Sequence, residues 1–428
     1  MVSNYILARH LGIAVFGIYS GMLSVVFIIN LITDWGFNAY GSQMLAQQQE
    51  SSKSMFITKA LSFKIVLSIF FSVIYLIFCF VKFGSNWYYL LGTPLILLSF
   101  LNPEWICRGI LMPHLASYRQ LIFSVFNICC FALVYFLRLP KIMVFLLYGF
   151  SMISSCWMIL MLVKKHLPFR LLDTQGVFDN KEILKNTSMY FYGYLVNNVN
   201  YTGGIIVLTI FSIPETVGAY SSYYTIFSTV VSPIIIVYGL FAPKVSSLPA
   251  QQFYTKYFKT VINVLAVGTI LYINGGILYG LFYPKTFLFN HVTNILVSAV
   301  FVMYCLENMF TVNAILVNEP KIYFRINLLG LVVNALCFCY LIASHNLSAQ
   351  SAFISLLVSQ VLMFVVSSYS YSHLLKYLFN KETLFVVIVL IGLIGSQFAG
   401  SVKLVYTLSG LALTIVSLRT FFLIKNLY

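Results

Sequence analysis

Long apolar runs alternate with short polar breaks along the whole 428-residue chain. Runs long enough to cross about 30 Å of hydrocarbon fall at 14–33, 55–81, 87–112, 116–137, 142–163, 187–211, 217–241, 258–282, 290–317, 323–343, 350–375, 384–400 and 403–424. The pattern predicts an all-α, polytopic membrane protein. Thirteen full spans put the two ends of the chain on opposite sides of the bilayer. The longest polar stretch is KKHLPFRLLDTQGVFDNKEILKNT, Lys164 to Thr187. Pro168 and Gly176 break helix there, and Asp179-x-x-Glu182 reads as a capping box opening the next helix.

The runs repeat. Val15-Phe16-Gly17-Ile18-Tyr19-Ser20 is echoed by Thr216-Val217-Gly218-Ala219-Tyr220-Ser221. At that offset 14–33 falls near 217–241, 55–81 on 258–282, and 87–112 on 290–317; 116–137 and 142–163 fall slightly short of 323–343 and 350–375. Two tandem lobes are expected, a common transporter plan: an N-terminal lobe 1–163, a cytoplasmic linker 164–186, a C-terminal lobe 187–376 and an extra helix pair 377–428. The counterpart of 187–211 would begin about fourteen residues before Met1 and end at His10. The first lobe is therefore expected to lack most of its first helix, with a true five-helix lobe as the alternative.

Composition agrees. The chain is 61% hydrophobic and 8% charged, against about 25% charged in soluble domains. Its +15 charge reads as loop Lys and Arg under the positive-inside rule, not as a nucleic-acid surface. With the C-terminus in the cytoplasm, nineteen of the 25 Lys and Arg fall on the cytoplasmic side. The eight Cys are scattered in apolar runs, with no CxxC pair and no Cys/His metal spacing. No P-loop, GxSxG or dinucleotide fingerprint occurs, so the chain reads as a non-enzyme without metal or nucleotide cofactor.

Ionisable residues inside the spans are costly, about 2.5–3.5 kcal/mol each at mid-bilayer, and are functional candidates by default. Glu307 lies in YCLENMFTVNAIL with Asn308, Thr311 and Asn313. It reads as a carboxylate for a coupling proton or cation or a sugar hydroxyl, or else as a protonated group bonded to a neighbouring helix. Glu104 and Arg108, four apart in LNPEWICRGI, can pair on one helix face, and Pro103 can kink the helix. Glu104 falls near the counterpart of Glu307, which suggests either a shared cavity or a simple helix-end ion pair. Lys64 lies well inside its span. It would suit an anionic headgroup, but snorkelling to the interface is the favoured reading. Asp34, in TDWGFNAYG, is expected to cap the next segment. On 187–211, Asn197, Tyr201 and Gly204 share a face. With Asn200 they could hydrogen-bond sugars, or join helices.

At LARHLGIAVFGIYS and TDWGFNAYG the chain resembles the bacterial polysaccharide flippases of the O-antigen (Wzx) type. These share a superfamily with multidrug and toxin extruders and lipid II flippases. The pattern LAR-x-LG, FG-x-YS, D-x-GF stands here as Leu7-Ala8-Arg9, Leu11-Gly12, Phe16-Gly17, Tyr19-Ser20 and Asp34-Trp35-Gly36-Phe37; Pro103-x-Trp105 and Val217 to Ser221 are also similar. The family carries a complete helix before LAR-x-LG, so this chain departs from it there. The resemblance implies two six-helix lobes around a central cavity. It also implies a substrate of oligosaccharide repeat units on undecaprenyl diphosphate, moved by alternating access from the cytoplasmic to the periplasmic leaflet of the bacterial inner membrane. Coupling to H+ or Na+, no other cofactor, and partners among membrane lipids, a polysaccharide polymerase and a chain-length regulator are implied with it. The alternatives are a cation-coupled multidrug extruder, a flippase for capsule, teichoic-type polymer or lipid II, and a scaffold without transport of its own.

Overall fold

The computed structural model describes residues 2–84, 86–171, 181–241, 250–273, 275–287, 290–316 and 319–375. They are helical throughout, with no strand among them. Among the described residues, seven helices are long and apolar enough to cross a membrane, or eight if the bent pair Tyr89–Leu97 and Ser99–Gly109 crosses as one. The protein is a multi-pass membrane protein. The expected spans 384–400 and 403–424, the pair 377–428, and Asp179 of the capping box lie outside the described residues. The described residues form two compact units, Val2–Gly218 and those from Ala219 onward.

In the first unit, α1 (Val2–Asp34) is two helical pieces joined at Gly12, whose φ of 74° and ψ of 169° are not helical. The break falls where the repeat puts the end of one helix, at His10, and the start of the next span. That backbone region belongs almost only to glycine and costs other residues about 1–3 kcal/mol. A Cβ at Gly12 would meet nothing within 4 Å. Gly12→Ala is therefore expected to destabilise the protein by about that amount through backbone strain alone, read as a lower unfolding temperature in detergent.

After α1 come a strained turn, a π-helical turn at Phe37–Gly41 and short α2 (Ser42–Gln47). The 34-residue α3 (Glu50–Phe83) ends at Gly84, φ 56°. The expected continuous span 87–112 is instead broken: α4 (Thr93–Leu97) and α5 (Glu104–Gly109) belong to segments bent by 44°. The break precedes Pro103, which sits at the N-terminus of α5 rather than kinking a continuous helix. Trp105 is fully buried, with rings of Phe37 and Phe56 at 5.3 and 6.3 Å. Pro113, whose missing N–H costs nothing at a helix start, opens α6 (Pro113–Phe136), which packs on α7 (Ile142–His166). Next comes α8 (Lys181–Phe211), which packs on α1. The unit division falls inside α9 (Pro214–Phe241), one helix later than the expected linker.

The second unit continues through α10 (Ala250–Ile273), α11 (Gly275–Phe282), α12 (His291–Leu316), α13 (Pro320–Ala343) and α14 (Ala349–Ser370). The expected span 258–282 is thus split between α10 and α11. Ser348 and Ser351 form a reciprocal capping box at the start of α14. On α14, Ser355 donates to the Asn334 carbonyl and Ser359 to that of Gly330, joining α13 and α14 by polar contacts that lipid cannot replace.

The repeated motif reappears in the packing. Tyr19 meets Phe145, near the start of α7, edge-on at 5.3 Å. Tyr220 stacks on Phe353, near the start of α14, at 4.3 Å. Each tyrosine of the Gly-x-Tyr-Ser pair thus packs on the corresponding helix of its own unit.

Candidate functional site

Two polar clusters occupy the apolar interior, one in each unit. In the first, the end of α1 turns sharply through Trp35 (φ 47°) and Gly36 (φ 78°). Positive φ is rare for a bulky residue and marks local strain. Asp34 anchors the turn. Its Oδ2 accepts the Asn38 amide at 2.9 Å, and its Oδ1 accepts the Asn38 side chain at 2.9 Å and Lys64 Nζ at 2.8 Å. The capping role expected of Asp34 is therefore present, joined by an ion pair. The favoured snorkelling of Lys64 is not what the structure shows: its side chain is 1% exposed and bonded to Asp34. A buried ammonium needs a counter-charge more than it needs water it cannot reach. Beside the pair, Thr33 and Ser68 both bond to Ser99 at the broken span, at 3.1 and 3.0 Å.

Glu104 and Arg108 are brought together only loosely, at 3.7 Å, and Arg108 is 52% exposed. The closer partner of Glu104 is Arg119 of α6, which also donates to Cys156 Sγ at 3.8 Å. Arg119 is a residue that sequence reasoning passed over. Its signal was an arginine inside an apolar run, six residues beyond a proline helix start. With Lys64 and Arg119 neutralised, Arg108 is the exposed cation of this cluster among the described residues.

The polar helix α8 reaches the same place. Phe191 stacks on Trp35 at 4.7 Å. One turn on, Tyr194 is half-exposed. Asn198 donates to the Tyr194 carbonyl at 2.8 Å. Sequence reasoning named Asn197, Asn200 and Tyr201 on this helix. Asn200 and Tyr201 are buried and Asn197 is partly so. Tyr194 and Trp35 were missed, although both sit within a turn of residues that were singled out.

In the second unit, Glu307 is 1% exposed on α12. Both carboxylate oxygens are engaged: one accepts the Thr311 hydroxyl, the other Asn308 Nδ2 at 3.0 Å. Asn313, further along α12, accepts the Tyr254 hydroxyl of α10 at 2.6 Å. Among the described residues no cation lies within 4.0 Å of Glu307, in contrast to Glu104. Arg325, close to the position on α13 that Arg119 holds on α6, is exposed and does not reach it. At the end of the same unit, outside the spans, Tyr371 donates to Glu319 at 2.6 Å. Burial first, and that hydrogen bond second, push its phenol well above the ordinary range.

Residues 1–248 match the family described as polysaccharide biosynthesis protein. The chain belongs to that family. No curated protein matches it. Among solved structures, it resembles the lipid II flippase MurJ in an inward closed conformation, at 12% identity over 97% of this chain and 96% of that one, with a TM-score of 0.69. It also resembles an inward-facing multidrug resistance MATE transporter of the MOP superfamily, at 12% identity over 88% and 94%, with a TM-score of 0.65. A MOP superfamily transporter from Pyrococcus furiosus matches at 13% identity over 87% and 91%, with a TM-score of 0.57. At such identities the likeness is one of fold. The all-helical membrane fold is the expected one, and the matched family is one of polysaccharide biosynthesis, as the resemblance at LAR-x-LG and D-x-GF implied.

Proposed function

We propose that this protein is a flippase. It carries undecaprenyl-diphosphate-linked oligosaccharide repeat units, of the O-antigen kind, from the cytoplasmic to the periplasmic leaflet of a bacterial inner membrane, with its C-terminus in the cytoplasm. Family membership supports a polysaccharide precursor as the cargo. The observation that carries the mechanism is the charge contrast between the two clusters. Glu104 is neutralised by Arg119, whereas Glu307 is buried with hydrogen-bond donors and, among the described residues, no cation within 4.0 Å. An intramembrane carboxylate left uncompensated is a site that a proton or Na+ can load and leave. Glu307 is accordingly the coupling residue. In the first unit, exposed Arg108 with Tyr194 and Asn198 supplies a cation, a hydroxyl and an amide, groups suited to a diphosphate and its sugars. Asn197, Asn200 and Tyr201 add polar groups to the same helix α8, and Asn313 adds one to α12 in the second unit. A polymerase and a chain-length regulator receive the product.

The test is deletion of the gene in its native host, with mass spectrometry of undecaprenyl-linked lipids. Accumulation of one lipid-linked repeat unit, with loss of surface polysaccharide, is the expected result, and the mass identifies the sugars. No such lipid, together with new sensitivity to cationic drugs, would replace the flippase by a cation-coupled extruder.

A further inference from the structure

We infer that the buried Asp34–Lys64 pair is a clamp that holds the Trp35 indole flat on Phe191 of α8. Both charged residues are then positioning residues, and neither binds substrate. The inference rests on the transport reading only for its activity readout. Trp35 and Gly36 both take positive φ, and a π-helical turn follows at once. Nothing in the residue preferences of Trp favours that backbone, so the surroundings must impose it. The three hydrogen bonds accepted by Asp34 do so. Two come from Asn38, across the turn, and the third from Lys64 on α3.

The same stretch of α3 contributes Phe63, whose ring meets Trp35 edge-on at 6.2 Å. Lys64 and its neighbour therefore fix the turn and the indole together. On the other side the indole lies within 15° of the Phe191 plane. Phe191 is one turn before Tyr194 and two before Asn198, so the stack fixes the part of α8 that carries them against the Asp34 turn. Lys64 cannot serve as an anion contact in this arrangement, because its side chain is sealed from water and bound to a carboxylate. Released from Asp34, the turn loses the force that opposes its strain, and the indole leaves the stack.

The experiment uses full-length protein labelled with 5-fluorotryptophan in lipid nanodiscs and read by fluorine NMR. The chain has 4 Trp, and Trp35→Phe assigns the relevant resonance. Lys64→Met and Asp34→Asn are expected to move the Trp35 signal toward its position in Phe191→Ala, and to cut transport at least tenfold. Lys64→Arg is expected to keep both the signal and the transport within about threefold of the parent, because a guanidinium also pairs with a carboxylate. Should Lys64→Met not reach the membrane, the double variant Asp34→Asn/Lys64→Met leaves no uncompensated buried charge and is read instead. A Trp35 signal unmoved by loss of the pair overturns the inference, whatever transport does. So does a signal that moves while transport stays normal. If the parent protein shows no flipping of lipid-linked glycan, the transport reading fails, yet the NMR arm still decides the clamp.

Discussion

Alanine at Gly17 or at Gly218 is expected to strip the protein from the membrane almost completely. These are the two glycines of the repeated Gly-x-Tyr-Ser motif, and the structure places them against each other. A Cβ on Gly17 would collide with the carbonyl oxygen of Pro214 and stand 2.8 Å from the Gly218 nitrogen. A Cβ on Gly218 would collide with the carbonyl oxygen of Ile13 and stand 3.0 Å from a side-chain carbon of the same residue. The obstacles are mostly backbone, so no rotamer change relieves them, and α1 and α9 would have to move apart. Overpacking typically costs about 1–3 kcal/mol, more when backbone must shift, and small residues are what allow membrane helices this close. The check is the amount of monodisperse protein extracted in detergent. Gly203→Ala is the control, since a Cβ there meets nothing within 4 Å. Wild-type yields from Gly17→Ala and Gly218→Ala would show that the close approach is not needed.

Glu307→Gln is expected to lower transport at least tenfold while the protein remains in the membrane at nearly its normal level. Glutamine keeps the size of the side chain and one oxygen, which can still accept the Thr311 hydroxyl. What it loses is the ability to take up and release a charge. Glu104→Gln should behave in the opposite way. It leaves Arg119, whose side chain is only 12% exposed, without its carboxylate, and removing one partner of a buried pair strands the other charge. Less folded protein is therefore expected from Glu104→Gln, with transport per molecule less affected. Reconstituted vesicles with a fluorescent lipid-linked sugar would separate the two. Normal flipping by Glu307→Gln would exclude Glu307 from coupling.

Much of the fold was legible in the sequence. Membrane spans declare themselves because lipid forces every exposed backbone group into helix and every long run into apolar residues. The Gly-x-Tyr-Ser echo also held at the level of contacts, with Tyr19 on Phe145 and Tyr220 on Phe353. The interruptions were less legible. The run 87–112 carries Asn102, Pro103, Glu104 and Arg108 in an otherwise apolar stretch, but nothing in it distinguishes a proline kink in one continuous helix from two segments bent by 44°, because Ser99 beside the break meets Thr33 and Ser68 of other helices only once the chain is packed.

The candidate site divides along the same line. Sequence alone marked Asp34, Lys64, Glu104, Arg108 and Glu307 as candidates, because a charge within or beside a span must be compensated or used. Only the tertiary structure decided which. Lys64 chose Asp34, thirty residues away, and Glu104 took Arg119 from the next helix rather than the neighbour one turn on. Among the described residues, Glu307 was left with hydrogen-bond donors but no cation. Spacing along one helix predicts only partners on that helix. A desolvated charge pairs with whatever the packing of other helices brings within about 3 Å, and that choice is written in no single segment.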